Sequence, residues 1–266
     1  MAMSKRPEMA RTFAVSSQKG GVGKTTTAAN LAAVWSEAGL RVLAVDFDPQ
    51  FALTRSLGWA PSDAPATAVD VIAGHSELGA AAVNVRAGLD LLCGHRDLAK
   101  LELTLVAQTK REEFLARALK DSLFEYDAII IDCPPNLGLL TVNALFAARE
   151  VLVPVSMLDA GAYQGAGEVR ATIARLREQD VDVRVGAVVR TFGDRRRVSY
   201  QVIDTALDQL GLPVAETVIP LRAEFNNALT EGRPVVWYRP DSAGAYAYRK
   251  LAGEIDSGVP MLRAVA

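Results

Sequence analysis

The stretch SSQKGGVGKTTTAAN, residues 16–30, carries two lysines, Lys19 and Lys24, five positions apart around three glycines. A loop that turns its backbone N–H groups toward phosphate oxygens needs residues free to take positive φ, and Gly20, Gly21 and Gly23, with Val22 between them, supply that freedom. A helix beginning near Lys24 would add the partial positive charge of its N-terminus. In the pattern G-x-x-x-x-G-K-[ST] the lysine reaches the β and γ phosphates and the hydroxyl ligates Mg²⁺. Lys24 and Thr25 fill those two positions, Thr26 continues the loop into the helix, and Gln18 stands where the pattern has its first glycine. Lys19 is then surplus to a single nucleotide site and needs its own explanation.

Carboxylates follow two further apolar runs. AIIID puts Asp132 where a nucleotide-hydrolysing loop protein needs an acid beside Mg²⁺, commonly holding it through water. VDFDPQ adds Asp46 and Asp48, which stand two apart along an extended segment and so share a side. One would support the metal and the other orient an attacking water, and spacing does not decide which. Phosphoryl transfer of this kind rests on positioning and electrostatics, with no covalent intermediate on the protein.

The elements that must hold these groups are legible as alternation. TFAV, RVLAV and AIIID are short aliphatic runs without polar interruption, as in strands covered on both faces of a parallel sheet. LDLLCG, EVLVPV and VRVGAVV read as further strands. TTTAANLAAVWSEAG is helical, with Ala29, Leu31, Ala32 and Trp35 as its core stripe and Gly39 as its stop. Other helices are predicted near 97–107, 111–124, 139–148, 161–178, 198–210 and 241–256. The result is a doubly wound α/β fold of the P-loop type, a mostly parallel sheet flanked by helices, with the loaded clusters at the carboxyl ends of strands. Residues 58–88, rich in Ala, Pro and Gly, give no clear period. We expect one domain over residues 11–266, preceded by a flexible arm at 1–10 that is too short for a helix-turn-helix.

The chain has 266 residues, half of them hydrophobic, and a formal net charge of −2, so no global positive field draws it to nucleic acid or anionic lipid. Any such binding must be local, and Arg190, Arg195, Arg196 and Arg197 form a basic knot suited to DNA phosphates. Two cysteines, Cys93 and Cys133, and no charged-then-apolar leader fit a reduced, cytoplasmic protein. No apolar run approaches the ~18 residues of a membrane span. His75 and His95 lack metal-ligand spacing, and Trp237 with Tyr238 fits packing and nucleotide proximity equally.

KGGVGKTTTAANLA, DFDPQ and IIIDCPPNLGLLTVNAL resemble the deviant Walker A ATPases, most closely the ParA/Soj partition proteins, and RRRVSYQVID and GRPVVWYRPDSAGAYAYRKLAGEI extend the resemblance through the C-terminal half. The resemblance implies ATP and Mg²⁺ as cofactors and slow, partner-stimulated hydrolysis. It implies that Lys19 reaches across a homodimer interface to the phosphates held by the other subunit. By the same resemblance Asp48 positions the hydrolytic water, Asp46 assists near the metal, and Pro220 borders the adenine. DNA contacts match best at Arg195 and Arg197. Non-specific double-stranded DNA, a ParB-like adaptor and a nucleoid location are the implied partners and place, with no membrane expected.

The physical logic agrees: a second ammonium beside Lys24 is repelled unless γ-phosphate supplies extra negative charge, which makes dimerisation conditional on ATP. The chain departs from the family at IPLRAEFNNALTEG, where Arg222 is out of register and Asn226 and Asn227 replace the usual Ser-Glu. That departure leaves open whether Arg222 contacts DNA. A MinD-like membrane-cycling ATPase is the alternative, but it needs an amphipathic C-terminal helix. The tail GEIDSGVPMLRAVA instead holds Gly258, Pro260 and a single basic residue, Arg263. An iron–sulfur carrier would have only Cys93 and Cys133 to offer, without a C-x-x-C. An ATP-dependent ligase on this fold would need a second substrate pocket that no motif marks.

Overall fold

The computed structural model describes residues 9–159 and 161–256, so the expectations for most of the N-terminal arm and for the tail beyond residue 256 lie outside the described residues. Along the chain, β1 (Arg11–Val15) leads into α1 (Lys24–Glu37), and β2 (Val42–Asp46) into the short α2 (Ala52–Ser56). The stretch without a clear period holds a 3₁₀ turn at Pro61–Asp63, α3 (Ala68–Ile72), α4 (Leu78–Ala81) and β3 (Val83–Arg86). There follow β4 (Leu89–Leu92), α5 (Leu98–Leu105), α6 (Phe114–Ala118), α7 (Ser122–Glu125), β5 (Ala128–Asp132) and α8 (Leu139–Ala147). The remainder is β6 (Glu150–Ser156), α9 (Ala162–Arg177), β7 (Arg184–Gly193), α10 (Val198–Gln209), β8 (Val214–Pro220), α11 (Glu224–Thr230), α12 (Val235–Tyr238) and α13 (Ala243–Asp256).

The strands form one sheet in the order β3-β4-β2-β5-β1-β6-β7-β8, parallel except for the β3–β4 pair. Side chains alternate along a strand, so each aliphatic run feeds two cores. Ala14, Leu43, Val45, Ile129, Ile131 and Val153 bury against one set of helices, including α8, α9 and α10. Phe13, Val15, Val42, Ala44, Ile130 and Leu152 bury on the other face, against α1 and α13. Leu31 and Trp35 of α1 are fully buried there, as their stripe predicts, with the Trp35 ring 4.9 Å from that of Phe13.

Register sets the chemistry. β5 lies between β1 and β2, with Asp132 opposite both Val15 and Asp46. The carboxyl ends of these three strands therefore stand side by side in the middle of the sheet.

The expected helix at 111–124 is two short ones. Asn143 on α8 accepts the Leu115 amide at 3.2 Å and donates to the Arg111 carbonyl at 2.8 Å, which fixes where α6 begins. The Leu123 carbonyl then accepts the Ala10 amide at 2.7 Å, drawing α7 toward the start of β1.

Candidate nucleotide and magnesium site

The loop from Ser16 to Gly23 joins β1 to α1. Gly23 caps α1 at φ 89° and Gly21 takes φ 70°, conformations that side chains strain to adopt. A Cβ at Gly20 or Gly21 would meet nothing within 4 Å, so this backbone faces open space. Two neighbouring strands hold the loop. The Ser16 amide donates to the Leu152 carbonyl at 3.0 Å, and the Thr191 hydroxyl donates to the Val22 carbonyl at 2.8 Å.

Lys24 is 7% exposed, its ammonium donating to the Lys19 carbonyl at 3.3 Å. Burial pulls its pKa down, against the opposing pull of Asp132 and Asp48. A desolvated cation at the base of an open cradle is a charge that phosphate would compensate.

The Thr25 hydroxyl donates to Asp132 Oδ2 at 2.7 Å, while Asp132 Oδ1 is buried without a hydrogen-bond partner. Burial, reinforced by Asp46 alongside, pushes the Asp132 carboxyl well above its ordinary pKa. An orphaned buried carboxylate oxygen beside a threonine hydroxyl fits a hard, oxygen-seeking cation, so the donor set suits Mg²⁺. Thr25 and Asp132 would hold it, and the ion when bound neutralises charge on the β and γ phosphates.

Asp46 behaves differently from its sequence expectation. Its Oδ2 accepts both the amide and the hydroxyl of Thr54 at 2.7 Å, and its Oδ1 accepts the Asp48 amide at 3.3 Å. It is fully buried, and burial raises its pKa to about 7 despite those donors. Asp46 and Asp48 therefore do not both look into the site, and Asp46 does not stand as a free metal-facing oxygen, because α2 folds back over it. Asp48, 8% exposed, accepts the Gln50 amide at 2.9 Å, and its charge acts on both Lys24 and Asp132.

Lys19 lies at the mouth of the loop in an ion pair with Asp159, both half-exposed. Lys19 in turn holds the Asp159 carboxyl below its ordinary pKa. The sequence reading missed Asp159, although it follows the carboxyl end of β6 just as Asp48 follows β2. Thr54 was missed for want of any local signal.

The arginine knot divides. Arg190 lies within β7, 12% exposed, with Nε on Asp204 at 2.6 Å and Nη1 on the Ala215 carbonyl at 2.6 Å, so its guanidinium is already held by protein partners. Arg195, Arg196 and Arg197 are exposed between β7 and α10. Asp194 accepts two hydrogen bonds from the Arg196 guanidinium, at 2.9 and 3.1 Å, and one from its amide at 3.2 Å, and lies 3.9 Å from Arg197. Arg222 is exposed just beyond β8, and Pro220 ends that strand opposite Gly193.

Cys93 and Cys133 are buried free thiols in the cores on opposite faces of the sheet. Burial, with Asp46 next, pushes Cys93 up to about 12. Among the described residues no cluster of His, Cys, Asp and Glu could hold a metal ion by itself, and no helix is long and apolar enough to cross a membrane.

The AAA domain family matches residues 10–185. The sporulation initiation inhibitor protein Soj of Bacillus subtilis (strain 168) is 36% identical over 250 residues, covering 93% of this chain and 98% of its own. The chromosome partitioning protein ParA of Caulobacter vibrioides (strain NA1000 / CB15N) is 37% identical over 253 residues, covering 93% and 94%. The chain belongs to the ParA/Soj family of partition ATPases. Membership makes it an ATP hydrolase, and the buried Lys24 with the Thr25–Asp132 pair is the part of the molecule suited to that reaction. Among solved structures, cobyrinic acid a,c-diamide synthase from Mycobacterium smegmatis with bound ADP and magnesium is 38% identical at a TM-score of 0.80, covering 92% of this chain and 93% of its own.

Proposed function

We propose that this ParA/Soj family member is an ATP-switched tether. Residues 11–266 act as one ATPase domain that dimerises with ATP, binds double-stranded DNA without sequence preference, and is released when a ParB-like adaptor stimulates hydrolysis. It would work in the cytoplasm on the nucleoid, moving plasmid, chromosome or other cargo. The observation that carries this reading is the pair of lysines: Lys24 is buried in its own loop, while Lys19 is half-exposed at the loop's mouth. Lys19 suits the phosphates of a facing subunit better than its own, where it would add like charge beside Lys24. Asp48 is assigned to the attacking water and Thr25 with Asp132 to the metal. Asp46 is assigned to support of Asp48.

Arg195, Arg196 and Arg197, less the one charge of Asp194, give each protomer a small positive excess. Binding by one protomer is then weak, and a dimer that joins two patches gains by avidity. Arg222 is assigned to the rim of the same surface and Pro220 to the border of the base site.

Fluorescence anisotropy with a labelled duplex of arbitrary sequence tests the reading. Binding with a slowly hydrolysed ATP analogue, and not with ADP or without nucleotide, supports it. Equal binding in all three states removes the switch. DNA binding in none of them, with ATP-dependent binding to anionic vesicles, points instead to the MinD-like alternative.

A further inference from the structure

We propose that Thr54 is a positioning residue for hydrolysis: its hydroxyl and amide clamp Asp46, and Asp46 fixes the backbone of Asp48. The inference rests on the assignment of Asp48 to the attacking water. Thr54 is fully buried on α2, eight residues beyond Asp46. Its hydroxyl donates to Asp46 Oδ2 at 2.7 Å and accepts the Gly94 amide at 2.9 Å. One oxygen atom thereby ties α2 to the end of β2 and to the segment that follows β4.

Little slack remains around Asp46. A Cβ at Gly94 would lie 2.8 Å from the Asp46 carboxyl carbon, so the chain after β4 closes directly over it. The remaining Asp46 oxygen accepts the Asp48 amide. Beyond that point the chain turns at once: the Asp48 carboxylate accepts the Gln50 amide, the Asp48 carbonyl accepts the Phe51 amide at 2.8 Å, and Phe51 takes φ 43°. A bulky residue in the left-handed region persists only where its surroundings over-determine it. Here α2 begins immediately after Phe51, and Thr54 is the residue that pins α2 to the sheet. With both oxygens of Asp46 spent in this way, its part in the reaction is to keep Asp48 still. A displacement of about 1 Å at a reacting group costs on the order of 100-fold in rate.

The test compares Thr54→Val, Thr54→Ser and Asp48→Ala in the full chain. Thr54→Val removes the hydroxyl at nearly constant volume and should lower kcat about 10- to 100-fold, with KM for ATP changed less than about twofold. Affinity for a fluorescent ATP analogue should be unchanged. In the nucleotide-free protein, deuterium exchange across residues 46–51 should quicken, because the Asp48 amide loses a fixed acceptor. Thr54→Ser should restore both rate and protection. Wild-type turnover and exchange in Thr54→Val, while Asp48→Ala is inactive, would overturn the role of Thr54. So would a joint loss of turnover and nucleotide affinity that Thr54→Ser does not rescue, which marks a packing defect. Normal turnover in Asp48→Ala would remove the underlying assignment of Asp48, and the inference with it.

Discussion

Lys19 is paired with Asp159 outside the phosphate loop, while Lys24, five residues on, is buried within it. The two ammonium groups share a loop but not an environment. Lys24 is desolvated within its own loop. The Lys19 side chain is 39% exposed and that of Asp159 is 51% exposed, so water and salt weaken the pair. A polyphosphate carries denser negative charge than one carboxylate, so Lys19 can exchange partners without leaving a buried charge behind.

Asp48 is expected to separate binding from turnover. Asp48→Ala leaves Lys24, Thr25 and Asp132 in place, so ATP should still bind. Hydrolysis should fall by about 100-fold or more, as when a group acting only in the transition state is removed. Phosphate release and nucleotide retention, measured on one sample, check this. Retained ATP together with retained DNA is the expected outcome, and normal phosphate release would contradict it.

The nucleotide-free protein should lose stability as pH rises through neutrality. Asp46 has an ordinary pKa of 3.8 and a folded value of about 7, so between these the unfolded chain has released a proton that the native state keeps. The contribution is fully present below the unfolded value and is lost as pH rises through the folded one. Asp132, also pushed up by burial, acts in the same direction. For Asp46 alone the slope is at most about 1.4 kcal/mol per pH unit. Urea unfolding at several pH values between about 5 and 8 should show the decline. Asp46→Asn should remove its share of it. Stability that climbs across this window would contradict the assignment.

Salt dependence should report the arginines. Each phosphate neutralised contributes about −0.9 to the slope of log affinity against log salt, so a dimer with two patches should show a slope of about −4. Replacing both Arg195 and Arg197 by Ala removes four charges from a dimer and should bring the slope close to zero and abolish most binding at physiological salt. Arg190→Ala should act mainly on stability, since its guanidinium is held by Asp204 and Ala215. An unchanged slope in the double variant would move the DNA surface elsewhere.

The interior of the sheet was legible because β1, β2, β5 and β6 are covered on both faces and so read as unbroken aliphatic runs. β3 and β8 lie at the two edges, where VNVR and VAETVIP alternate between buried and exposed, and neither was anticipated from a pattern of continuous burial. The phosphate loop was legible because its chemistry is local: glycines, lysine and threonine act within a few residues of one another. Asp159, 140 residues from Lys19, and Asp204, which removes Arg190 from the exposed cluster, are brought into place only by the packing of distant strand ends and helices. Asp46 shows the remaining limit. Its spacing from Asp48 places both on one side of an extended segment, but the direction of its carboxylate is decided by Thr54, a residue with no motif of its own.

Sedimentation velocity of the wild-type chain and of Lys19→Ala, each with a slowly hydrolysed ATP analogue and Mg²⁺, tests the central claim most directly. The account predicts a nucleotide-dependent dimer for the wild type, and for Lys19→Ala a monomer that still binds nucleotide. A Lys19→Ala dimer as stable as the wild type would contradict the cross-subunit role of Lys19, and with it the coupling of ATP to DNA binding.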